Sequence, residues 1–287
     1  MVSNAMRKQI IISIFSRILS TISRLHNLTF LNLSGSVFVG EIPSEITQLS
    51  KLSILDLSFR GANDMILELH DLSLAKLVQN LTYITHLHLD YVDISSHVPL
   101  ILSNITSLES ITLDGCNLLG DFPTSLFQLS KLEVVSSCCN PYLGGFFPEF
   151  HSSSPIRILS FEKTQFAGPL PPSIGNLGSL EALDLWACQF HGELPSSLGN
   201  LSRLTILHLG HNQFSGDLPS SITNLTGLTA LTLSHLMSVN PRTLSSWMFK
   251  IKSLEKVGLS NMNLGNEILP ALANHTDLDI WILVIIR

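Results

Sequence analysis

Charge is scarce in this chain. Only 13% of its 287 residues are Asp, Glu, Lys or Arg, and 16 basic residues against 22 acidic ones leave a net charge of −6. A nucleic-acid surface needs clustered Lys and Arg, so no nucleic-acid partner is expected. Aromatic residues are few, at 7%. Four cysteines, Cys116, Cys138, Cys139 and Cys188, give no disulfide framework. No apolar run reaches the roughly 18 residues that a membrane-crossing helix requires. Near the start, Arg7 and Lys8 precede an isoleucine-rich stretch, but Arg17 interrupts it and no small-residue cleavage site follows, so no clear signal peptide is read. Gly-x-Ser-x-Gly, His-Glu-x-x-His, phosphate-loop and dinucleotide fingerprints are also missing, so neither catalysis nor a cofactor is expected.

What the chain has is leucine in a fixed rhythm. Leu81, Ile105, Leu129, Ser153, Leu177, Leu201 and Leu225 follow one another at intervals of 24 residues. Counting each as position 1, apolar residues recur at positions 4, 7 and 9, as in Leu177, Leu180, Leu183 and Leu185. Positions 7 and 9 have the alternation of a short strand with one face inward. Further on, a Gly-x-apolar-Pro element recurs six times, at Gly40, Gly120, Gly145, Gly168, Gly192 and Gly216. Glycine permits a tight turn there, and proline, lacking an N–H, suits a strand edge or the first turn of a short helix. Ser36, Cys116, Asn140, Thr164, Cys188 and Asn212 occupy position 12, placed to bond backbone groups of the turn; Arg60, Val92, Leu236 and Met262 interrupt that ladder.

One such unit exposes leucines on two sides and must stack on its neighbours. The repeat therefore predicts an α/β solenoid, a curved right-handed coil with a concave parallel sheet and short helical or 3-10 segments on the convex side. Residues 1–17 read as a non-repeat segment and residues 18–287 as ten to eleven units. An eight-residue excess before Leu81, with Leu74, Leu77, Val78 and Leu81 at helical spacing, predicts a helical insertion near 60–80. Leu244, Trp247, Met248 and Ile251 after Asn240-Pro241 predict a second irregular helical segment near 236–250. Ile18, Ile22 and Leu25 read as the tail of a preceding unit, and Leu278, Trp281 and Leu283 as the start of another. Neither end has the polar cap that a solenoid needs, so the chain reads as part of something longer.

These 24-residue units, Leu-x-x-Leu-x-x-Leu-x-Leu followed by Gly-x-Ile/Leu/Phe-Pro, resemble the plant-specific leucine-rich repeat. Segments such as Pro172-Ser173-Ile174-Gly175-Asn176-Leu177-Gly178-Ser179-Leu180 look like the ectodomains of plant receptor-like proteins, and the resemblance covers roughly residues 18 to 283. It implies a recognition module that binds a peptide or protein ligand on its concave face in defence or developmental signalling. It also implies a receptor-kinase co-receptor and a place on the extracellular face of the plasma membrane. A secreted enzyme inhibitor of the polygalacturonase-inhibiting type, which uses the same repeat, is the second reading, and a non-functional receptor fragment is the third.

Positions 6, 8, 10, 11 and 13 are expected to face outward from the sheet. They nominate Asp56, His88, Asp90, Tyr91, Asp114, Glu162, Lys163, Asp184, Trp186, His208, His211 and His235 as ligand-contacting residues. Trp186 is the expected aromatic anchor, and the carboxylates predict a ligand with basic groups. His211 is expected opposite His235, and Asp184 beside His208. Metal binding by those imidazoles is weighed against ordinary surface histidines, and no metal is assigned. Cys116 and Cys188 read as packed thiols, Cys138 and Cys139 as free ones. Asn-x-Ser/Thr sequons stand at Asn27, Asn32, Asn80, Asn104, Asn200, Asn224 and Asn274, candidate glycan sites on a secreted chain.

Overall fold

The computed structural model describes residues 17–36, 38–59, 67–70, 72–236, 241–248, 250–262, 270 and 273. Leu183 pairs laterally with Leu207, and Leu207 with Leu231, in one parallel sheet of ten three-residue strands that runs from Phe30–Asn32 to Lys256–Gly258. Leu177, Leu180, Leu183 and Leu185, and their counterparts Leu201, Leu204, Leu207 and Leu209, are fully buried. The 24-residue period is thus the lateral step of the coil. Stacking removes apolar surface from water at roughly 25 cal/mol per Å², which is what holds units that could not fold singly.

The strand register survives irregular units. Thr85 donates to the Ser53 carbonyl across 32 residues, and Ile54 still pairs with His86. The extra residues are absorbed on the return arm, where α1 (Leu74–Gln79) buries Leu74, Leu77 and Val78. Ser73 caps it by accepting from the Lys76 amide at 3.3 Å. Near the other end Ala230 pairs with Lys256, and α2 (Pro241–Met248) fills that longer arm, with Leu244, Trp247 and Met248 buried. Both helices stand where the i, i+3, i+4 spacing puts them. Elsewhere on the convex side a proline in extended conformation (Pro43, Pro99, Pro123, Pro171, Pro195, Pro219) leads into a five-residue 3-10 turn.

Two features go beyond the sequence reading. A second parallel sheet of five strands lies on the flank, from Leu119–Asp121 to Gln213–Ser215, with a separate two-stranded piece pairing Gly40–Glu41 with Leu67–Glu68. The Gly-x-apolar-Pro glycines lie within or just after these flank strands with positive φ, +80° at Gly192, a conformation that side chains with a Cβ rarely adopt. The middle units also share a phenylalanine core: Phe122, Phe127, Phe147, Phe150, Phe161, Phe166 and Phe190 are buried and in mutual ring contact, the Phe161 and Phe166 centroids 4.0 Å apart.

Position 12 behaves as its chemistry requires. The buried Asn140 amide donates to the carbonyls of Leu113, Ser137 and Cys138, while its Oδ1 accepts from the amides of Cys116 and Leu118. Asn212 and Thr164 repeat parts of that pattern, and the Cys116 and Cys188 thiols donate to the Leu89 and Phe161 carbonyls. Val92, Leu236 and Met262 replace these bonds with buried apolar contact. Arg60 lies outside the described residues, as do residues 1–16 and Leu278, Trp281 and Leu283.

Candidate functional site

Each concave strand ends at position 8, and the chain then turns sharply. At position 11 the backbone is left-handed whatever the residue: φ is +61° at Tyr91, +59° at Cys139, +55° at Lys163, +56° at Ala187, +57° at His211 and +67° at His235. That turn projects the position-11 side chains along the rim of the sheet, one above another. Position 8 acids help to hold it. Asp184 Oδ1 accepts the Trp186 amide at 3.1 Å, as Asp56 accepts that of Ser58 at 3.0 Å.

On the middle and later coils Lys163, His211 and His235 of position 11, with Trp186 of position 10, form a column of stacked side chains. Lys163 Nζ stands 5.0 Å from the centre of the half-buried Trp186 ring, on the cation-attracting face of an indole. His211 packs edge-on against the Trp186 ring at 4.8 Å, and His235 lies 3.7 Å from His211. Asn261 Nδ2 closes the column by donating to His235 Nδ1 at 3.1 Å. Burial first, and His235 second, hold the His211 imidazole below its usual pKa. Beneath the column His208 Nδ1 and Asp184 Oδ2 are 2.9 Å apart. The pairings expected for His211 with His235 and for Asp184 with His208 are both present. Asn261 was not nominated, although Met262 at position 12 puts it at position 11 of its unit.

Position 10 corrects the expected surface. Asp90 and Asp114 are turned inward, 5% and 8% exposed. Asp90 Oδ1 accepts the Asp114 amide, and Asp114 Oδ1 accepts from Ser136 Oγ and the Cys138 amide. The alternation of the strand has ended before this position, so its side chains no longer share one direction: Asp90 and Asp114 lie under the rim, whereas Trp186 stays half-buried in the column. Glu162 pairs with Lys163 at 2.8 Å. Asp90 and Asp114 are therefore engaged inside the protein, while Glu162 and Asp184 stay partly exposed and pair with Lys163 and His208.

A second concave feature is a hollow of about 520 Å³ lined by Ser34, Gly35, Asp56, Ser58, Phe59, His88, Asp90 and Thr112. The His88 Nε2 is 2.8 Å from Ser110 Oγ, and burial, opposed by Asp56 and Asp90, lowers its pKa. Tyr91 projects beside it, 39% exposed. Asn32 reaches Asp56 Oδ2 at 3.1 Å and accepts from Ser34, its own sequon serine. Asn27, Asn32, Asn80, Asn104, Asn200 and Asn224 are all exposed, and Asn274 lies outside the described residues. All four cysteines are free. Burial pushes the Cys116, Cys138 and Cys188 thiols upward, Asp114 adding to the effect at Cys138.

Comparison with known proteins agrees with this architecture. A family described as the leucine-rich repeat region matches residues 148–275, and the leucine-rich repeat itself matches 27–49 and 107–129. No curated protein matches the chain. Among solved structures, the ectodomain of the Arabidopsis thaliana receptor kinase GASSHO1/SCHENGEN3, in complex with CASPARIAN STRIP INTEGRITY FACTOR 2, is 28% identical with a TM-score of 0.76, over 88% of this chain and 29% of that one. A TDR receptor is 25% identical with a TM-score of 0.72, over 93% of this chain and 49% of that one. The plant peptide hormone receptor RGFR1 with RGF2, at 24% identity and a TM-score of 0.67, shares the fold over 94% of this chain and 42% of that one. The chain spans less than half the length of each. Among its described residues no helix is long and apolar enough to cross a membrane.

Proposed function

Because the chain belongs to the plant leucine-rich-repeat receptor-like proteins, we propose that it is a ligand-recognition module that takes an extended peptide or a protein segment across its concave face, in defence or developmental signalling at the cell exterior. The observation that carries this reading is the column of Lys163, Trp186, His211 and His235. It is a partly exposed row of flat and cationic groups, already stacked before any ligand arrives. Rigid aromatic anchors flanked by pre-ordered neighbours dominate peptide interfaces because little side-chain freedom is lost on binding. The hollow beside His88 and Tyr91 offers a second contact several coils away, a spacing suited to an extended ligand. Complexes of the similar receptors with peptides support the same class of ligand, and the exposed sequons suit a secreted, glycosylated surface. A receptor-kinase co-receptor belongs to the same proposal.

The test is a binding screen of synthetic secreted plant peptides against the purified glycosylated chain, repeated with Trp186→Ala. A genuine concave-face ligand loses about 2 kcal/mol or more on that substitution, while the melting temperature of the protein hardly changes. A peptide that binds wild type and Trp186→Ala equally well places recognition elsewhere.

A further inference from the structure

The flank of the second and third coils carries a group of side chains that the concave-face reading leaves unused. Glu41 and Glu68 stand directly opposite each other on the paired parallel strands Gly40–Glu41 and Leu67–Glu68, and Glu68 is bridged in turn to Asp93 on the next coil. Three carboxylates thus lie in a row, although like charges on facing strand positions are destabilising. Among the described residues His70 alone makes ion-pair contacts with them.

The distances are those of donors around a small gap. His70 Nδ1 is 3.7 Å from Glu41 Oε1 and 3.8 Å from Glu68 Oε2, and the three ligand atoms all lie within 4.8 Å of one another. Those separations exceed hydrogen-bond length. Bonds of about 2.0–2.2 Å from a tetrahedral zinc ion would set its ligands roughly 3.3–3.6 Å apart, close to the two separations seen from His70 Nδ1. The other ring nitrogen, Nε2, is 3.5 Å from Asp93 Oδ2. Asp93 Oδ1 accepts from Ser95 Oγ at 2.5 Å and from Asn117 Nδ2 at 3.1 Å, so its free oxygen is aimed at the imidazole. A metal-bound histidine commonly has this arrangement, one nitrogen on the ion and the other donating to an oriented carboxylate. A separate observation is that the Glu41 Oε2 atom is covered and has no hydrogen-bond partner, although the side chain as a whole is 34% exposed.

We propose that Glu41, Glu68 and His70 bind one divalent cation of the zinc class, with Asp93 orienting the imidazole from behind and water completing the shell. One imidazole with two carboxylates balances the charge of such an ion and suits zinc better than magnesium or calcium, which prefer oxygen alone. Its role is structural. It ties Glu41 to Glu68 and His70 across two coils, next to the stretch in which the repeat carries its eight extra residues and the flank sheet is only two strands wide.

The experiment is calorimetric titration of Zn²⁺ into the chelator-stripped protein, with visible absorption of the Co²⁺ form as a second readout. The His211→Ala/His235→Ala variant serves as the background, so that the stacked imidazole pair does not contribute. One equivalent is expected in that background and none after a further His70→Ala, a substitution at a half-exposed site whose folding circular dichroism checks. Asp93→Asn should bind 10- to 100-fold more weakly, and Glu68→Gln should lose the Co²⁺ spectrum. Failure of the background protein to bind one equivalent below millimolar Zn²⁺, or full binding after His70→Ala, overturns the site.

Discussion

His211 and His235, one coil apart, stack with their ring centres 3.7 Å from each other, so a proton on His211 faces a second imidazole. Burial, and then that neighbour, lower the His211 pKa from 6.5, and burial does the same at His88. A histidine that is harder to protonate when folded stabilises the fold fully above its unfolded pKa of 6.5, and that contribution is lost as the pH falls through the lowered folded value. The melting temperature should therefore fall between pH 7.5 and 5.5, and His211→Gln should flatten the decline. An unchanged slope in that variant would show that its protonation is not coupled to folding.

Asn140 makes five hydrogen bonds from a fully buried side chain, three given and two received. Asn140→Ala strands backbone groups of two coils, each unmet partner costing about 1–3 kcal/mol. A loss of at least ~3 kcal/mol in urea unfolding is expected. Asn140→Asp should be nearly as harmful, because an anionic oxygen would meet three carbonyls.

Phe161, fully buried in the phenylalanine core, should cost about 3–5 kcal/mol when cut to alanine. Phe146, 60% exposed one coil earlier, should cost under about 0.5 kcal/mol when changed to serine. Equal losses from the two substitutions would mean that the core is not packed as described.

The left-handed turn after each strand makes opposite demands at two equivalent positions. Ala187 has a φ of +56°, which an L side chain adopts at a cost and glycine adopts freely. Ala187→Gly should stabilise the protein by a few tenths to about 1 kcal/mol in thermal or urea unfolding. Gly115 sits at +61° on another coil, and a Cβ there would come within 2.8 Å of the Tyr91 ring. Gly115→Ala should destabilise by about 1 kcal/mol or more in the same assay.

The core was the readable part of this chain, because burial repeats with the period and a leucine every 24 residues has one physical meaning. Leu183 beside Leu207, the α1 and α2 helices, and the His211–His235 and Asp184–His208 pairs all follow from counting. The flank sheet did not announce itself. Gln165–Gly168 and Gln213–Ser215 each bury a single residue, too little to show alternation. The phenylalanine core was hidden too, because Phe161 and Phe166 take leucine positions one at a time and only stacking reveals them as a set. Asp90 and Asp114 were misplaced for a local reason. The strands are three residues long, so the outward-inward rule ran two residues past the point where the backbone left the sheet. The Glu41, Glu68 and His70 group was invisible because Glu68 and His70 belong to the irregular unit, where counting by 24 fails to place them beside Glu41.

Ile54 opposite His86 and Ala230 opposite Lys256 hold strand register across arms of unequal length. This separates what a lineage can edit from what it cannot. Lengthening a convex arm, or gaining or losing a whole rung, leaves every remaining side chain of the reading surface aligned with its neighbours. An insertion of one residue between the strand and the left-handed turn would shear the column at that rung. Ligand preference in such a molecule can therefore drift by recombination of entire rungs as readily as by point mutation, without the scaffold having to be reinvented.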